Sequence, residues 1–146
     1  MGPAVQTIGA RAFCFTELTS LDLSEATSLV EIRNGAFYVT DLGGTLVIPA
    51  KLATIGPSAF ESAKLTGLDL SKATSLVEIR NSAFFDTGLE GRLVIPAKLA
   101  KIGPSAFRNT ELTSLDLSKA TSLVEIGSWA FYDTGLEGTL SLYHYA

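Results

Sequence analysis

Residues 46–60 read Leu46-Val47-Ile48-Pro49-Ala50-Lys51-Leu52-Ala53-Thr54-Ile55-Gly56-Pro57-Ser58-Ala59-Phe60. Leu46 and Ile48 alternate with Val47 at the strand period of two, and Pro49 ends the run. Leu52, Ile55, Ala59 and Phe60 then continue an apolar skeleton through a Gly-Pro bend. A strand of about four residues cannot bury its apolar side alone, so this segment needs copies of itself stacked in parallel, strands about 4.8 Å apart.

The copies are present. Working outward, the pair Ala-Phe recurs at Phe13, Phe37, Phe60, Phe84, Phe107 and Phe131, at intervals of 24, 23, 24, 23 and 24 residues. Two units therefore alternate. The first spans 17–40 and returns at 64–87 and 111–134; the second spans 41–63 and returns at 88–110. Residues 17–63 and 64–110 match at 34 of 47 positions, which makes a 47-residue super-repeat. Units of 23–24 residues, interrupted by Gly and Pro, leave no room for two helices and fall in the leucine-rich-repeat window. The sequence predicts one domain over 1–146, a solenoid of about six coils. Its single parallel sheet should run through residues 20–23, 45–48, 67–70, 92–95, 114–117 and 139–142. The Ile55–Phe60 stretch reads as a turn, with Pro57 or Ser58 starting a short helical turn. The six Phe should form an internal stacked column, and the Ala before each is small because the next coil's backbone lies close.

The spacing LxxLxLPxxLxxIGxxAF, at Leu46 to Phe60 and again at Leu93 to Phe107, resembles the leucine-rich repeats called BspA-like, or Treponema pallidum-type. That resemblance covers essentially the whole chain. It implies an α/β-type leucine-rich-repeat solenoid with a concave parallel sheet and short turns or short helical segments on the convex face. It also implies a cell-surface or secreted protein that contacts proteins, matrix or cells. The first unit departs from the pattern by two extra residues after its strand and by Ser in place of Pro; the second has one extra residue before it, at Gly43-Gly44-Thr45. Neither end carries an evident cap, so the chain reads as a segment of a longer array.

Composition narrows the function. Apolar residues are 47% of the chain, and 11 Lys+Arg against 15 Asp+Glu give net charge −4. An acidic balance argues against nucleic acid, which needs a basic face. No apolar run approaches a membrane span. The opening MGPAVQ lacks a charged and then apolar leader, so no signal peptide is expected. One cysteine, Cys14, excludes an internal disulfide. His144 stands alone near the C-terminus, and no phosphate loop, dinucleotide fingerprint or calcium loop occurs. Asp22, Asp69 and Asp116 recur on alternate coils, about 9.6 Å apart, too far to share one metal ion. No catalytic residue, metal ligand or cofactor is expected.

The candidate surface is the sheet's outward face, with Ser20, Asp22, Thr45, Asp69, Lys72, Arg92, Ser114 and Asp116. Charge sharpens it. Residues 17–63 carry net −4, 64–110 net +3 and 111–146 net −4, through swaps that leave the apolar skeleton intact. The central cations are Lys64, Lys72, Arg92, Lys101 and Arg108, with Arg92 and Lys72 the usable pair. The band serves either an anionic partner or attraction between copies. The aromatics Tyr38, Phe85, Tyr132 and Trp129 either cover the turn or form an exposed column. The reading is a non-catalytic adhesion module for a protein or glycan. Its rivals are a structural segment that self-associates end to end and, ranked low, an ice- or surface-binding solenoid using Thr19, Thr66 and Thr113.

Overall fold

The computed structural model describes residues 2–142. Ten parallel strands wind into a solenoid: β1 Thr7–Ile8, β2 Glu31–Ile32, β3 Thr45–Val47, β4 Thr54–Ile55, β5 Gly67–Asp69, β6 Glu78–Ile79, β7 Glu90–Val94, β8 Lys101–Ile102, β9 Glu111–Asp116 and β10 Glu125–Ile126. No helix occurs among the described residues. The continuous sheet is the one made of two-residue strands, ordered β1-β2-β4-β6-β8-β10. Its register stacks Ile8, Ile32, Ile55, Ile79, Ile102 and Ile126 on one another.

The expected single sheet on the other side is replaced by two pairs, β3 with β5 and β7 with β9. Each second-type strand pairs with the first-type strand after it and not with the one before. The extra residue at the start of the second-type unit explains this. Gly44, Gly91 and Gly138 take φ of 71°, 74° and 87° there, and the β7–β9 register shifts between Gly91 and Arg92, leaving Thr113 of β9 without an opposite residue. The chain so displaced loses the ladder on its upstream side. For the same reason residues 20–23 and 139–142 carry no strand: the first precedes β3, and the second has no following first-type strand among the described residues.

The expected short helical segments are also absent, and their place is taken by a turn of alternating handedness. Gly35, Ser58, Ser82, Ser105 and Trp129 are left-handed, with φ of 54–60°, and so are Val39, Ser62, Asp86, Asn109 and Asp133, at 50–58°. Two left-handed residues per coil prevent helix growth. They also turn amides along the solenoid axis. Ser58 N–H donates to Asn81 O at 2.9 Å, Phe60 N–H to Ala83 O at 2.8 Å and Ser62 N–H to Phe85 O at 2.9 Å, and the other coils repeat this. The Ala carbonyl accepts from the Phe amide of the coil before it, as close approach at the small residue requires.

The core is one cluster running the length of the solenoid. The Phe column forms as expected: successive centroids from Phe13 to Phe131 lie 5.2–5.4 Å apart with rings within 10° of parallel. Phe37, Phe60, Phe84 and Phe107 are fully buried. Thr40, Thr87 and Thr110 are buried beside them, each hydroxyl donating to the Phe carbonyl three residues earlier.

Candidate functional site

The three recurrent aspartates do their first work locally. Asp22, Asp69 and Asp116 each accept the amide of the residue two ahead, Ser24, Ser71 and Ser118, at 2.8 Å. These are Asx turns, which reverse the chain where the first-type unit lacks a proline. Bonds to Ser71 hold Asp69 below the usual carboxylate range, and bonds to Ser24 do the same for Asp22. Asp116 lies well below it, through Ser118 and then the Arg92 guanidinium.

Arg92 pairs with Asp116 and not with Asp69, because β7 hydrogen-bonds to β9 and not to β5. Lys64 reaches Asp41 at 2.7 Å. The positive middle copy is thus tied to the acidic copy on either side. Both cations are exposed, the Asp41 side chain is 42% exposed and Asp116 is half-buried; at such surface positions ion pairs add little stability but do select the neighbour. Arg108 lies elsewhere, its guanidinium 4.6 Å from the Trp129 ring centroid, 5.2 Å from Tyr132 and 5.6 Å from Phe85. The five central cations therefore do not gather on one face. Trp129 and Tyr132 are 60% and 58% exposed and stack on each other. Phe15 is exposed against Tyr38 nearer the other end, and Tyr38 and Phe85 are half-buried, so the exposed rings form separate patches rather than a column.

The candidate residues are divided among three clefts. Arg92, Ser114 and Asp116 line one of about 430 Å³ with Thr139 and Ser141. Asp22, Thr45 and Lys72 line a second, of about 870 Å³. Asp69 and Arg92 line a third, of about 800 Å³. Ser20 is exposed and lines none of the three, and Arg92 and Lys72 stand in different clefts.

The second and third clefts are the same site twice. Each is built from a first-type Asx turn, the following second-type strand with its proline, and the turn of the next coil. All thirteen lining positions correspond at a separation of 47 residues, and twelve carry the same residue; only Thr45 becomes Arg92. Val47 and Pro49 form the floor of the first, Val94 and Pro96 that of the second, with Lys51 and Lys72, or Lys98 and Lys119, lining the same space. These four lysines make no ion pair among the described residues. Val47 and Val94 belong to the outward face expected of the sheet, but the prolines and Lys51, Lys98 and Lys119 went unnoticed as site residues, although their identical recurrence was visible in the chain.

Among solved structures, the pneumococcal vaccine antigen PcpA is similar at a TM-score of 0.61 and 26% identity, over 78% of this chain and 28% of that one. The chain thus spans less than a third of that protein's length. No protein of curated function matches it. The model for the BspA-type leucine-rich repeat region matches in six copies, over residues 2–92 and 77–140, so a coil defined by its Ile stack, Phe column and Gly-Pro bend places the chain in the BspA-type leucine-rich-repeat family.

Proposed function

We propose that the chain is a non-catalytic interaction and adhesion module of a cell-surface or secreted repeat protein. The observation that carries this is the duplicated cleft. Val47 is 39% exposed, its isopropyl group turned outward from a strand whose inward Leu46 is buried. Apolar floor with unpaired lysines beside it is the composition of a recognition surface. Charge at 64–110 differs from its neighbours while the core does not, which fits selection on the surface. The family and the likeness to a vaccine antigen support a surface or secreted setting.

The test is binding of the chain to a panel of immobilised extracellular proteins and glycans, repeated with Val47→Asp/Val94→Asp. Partners retained by wild type and lost by the variant bear the reading out. Partners retained equally by both overturn the assignment to the clefts.

A second reading is end-to-end self-association, favoured by exposed apolar side chains in the last coils: Val124 is 79% and Leu142 67% exposed. An elution volume that shrinks with concentration supports it, and a constant monomer volume removes it.

A further inference from the structure

The two clefts are related by translation along the solenoid axis. The Phe centroids advance 5.2 Å and then 5.3 Å over the two coils from Phe37 to Phe84, so equivalent points recur about 10 Å apart, close to two strand spacings. A ligand meeting both clefts alike must present the same group at that interval, on one side. An extended β-strand does not: residues three apart point to opposite faces. A polyproline II segment does, since three residues complete one turn and advance about 9.3 Å.

Resting on the interaction reading above, we propose that the paired clefts bind an acidic polyproline II segment of a partner protein, with an aliphatic side chain at every third position. One aliphatic group packs on Val47 and Pro49, the next on Val94 and Pro96. Intervening carboxylates face Lys51, Lys72, Lys98 and Lys119. Each cleft holds two lysines against one aspartate, Asp22 or Asp69, and each aspartate is engaged in its own turn, so the local balance is positive. Arg92, the one lining difference, is paired with Asp116 and leaves that balance nearly equal in the two clefts. The lining contains no aromatic ring, which favours an aliphatic peptide group over a sugar face. Two linked weak sites gain from each other through effective concentration.

The test uses the full chain and a synthetic nonapeptide with valine at every third position and proline and glutamate between, followed by fluorescence anisotropy. Three controls accompany it: the same composition with valines two apart, the same peptide with lysine for glutamate, and a sulfated oligosaccharide. The expected result is at least about tenfold tighter binding of the three-spaced acidic peptide than of either peptide control. Val47→Asp and Val94→Asp should each reduce it to the level of a one-valine peptide. Lys51→Glu/Lys98→Glu, exposed positions that leave the fold alone, should weaken binding and flatten its salt dependence. Equal affinity for both valine spacings, or binding untouched by the lysine reversals, overturns the proposal. Binding of the oligosaccharide alone does so too, while leaving the interaction reading in place. Failure of every peptide together with cleft-dependent capture of a panel protein rejects this ligand and keeps the module.

Discussion

Replacing Phe84 by Ala tests the central claim about what holds the coils together. Its ring is fully buried and lies between Phe60 at 5.3 Å and Phe107 at 5.4 Å, within 5° of parallel to both. Truncating a buried Phe costs about 3–5 kcal/mol through lost transfer energy and the cavity left behind. Two ring contacts, each about 0.5–1.5 kcal/mol beyond area burial, put this site in the upper half of that range. Phe13→Ala is the internal control. Phe13 is half-buried and has one stacked neighbour in the column, Phe37, so its loss should be about 1–2 kcal/mol. Urea unfolding followed by far-UV circular dichroism reads both. Because each coil touches only its neighbours, a weak central interface should also uncouple the halves and lower the apparent m-value of Phe84→Ala. A loss under about 1 kcal/mol, or one equal to that of Phe13→Ala, would refute the column as the core.

Three further outcomes follow from the coil geometry. Val39 is a β-branched residue at φ 50°, in the slot that Asn109 and Asp133 fill in other coils, so Val39→Asn should raise stability by about 0.5–1 kcal/mol in the same urea assay; a fall would mean its partial burial outweighs the strain. A Cβ on Gly103 would lie 2.5 Å from Asn81 N and 2.7 Å from Arg80 C, backbone that cannot yield, so Gly103→Ala should cost about 1–3 kcal/mol and lower Tm measurably by calorimetry. Asp22, Asp69 and Asp116 are all depressed in the folded state; their contribution is present above the unfolded carboxylate pKa of about 3.9 and is lost as pH falls below it. Urea midpoints measured downward from neutral pH should therefore drop on entering that range, and Asp69→Asn/Asp116→Asn should reduce the drop.

The period, the Phe column and the inward Leu and Ile were legible because repetition supplies several copies of each inference. The position of the continuous sheet was not. Glu31-Ile32 and its equivalents are two residues long, too short for alternation to show, and their pairing arises from the coils that flank them. The left-handed turns were hidden as well, since Ser58, Val39 and Trp129 are not residue types that announce positive φ. Arg92 stood between two candidate aspartates in the sequence; the pairing of β7 with β9 chose Asp116. The clefts were missed because each takes residues from three successive coils, although the 47-residue identity of their linings was present in the chain.

The axial amides at the left-handed turns also have a mechanical meaning. Hydrogen bonds between Ser58 and Asn81, or Phe60 and Ala83, run along the line joining the two ends of the solenoid. Tension between those ends loads the bonds of one interface head-on rather than in shear, so coils peel away singly. Each release frees 23 or 24 residues, about 80 Å of contour. A sustained pull is therefore expected to lengthen the solenoid in steps, each replacing a rise of about 5 Å with that contour, while the coils not yet peeled keep their shape.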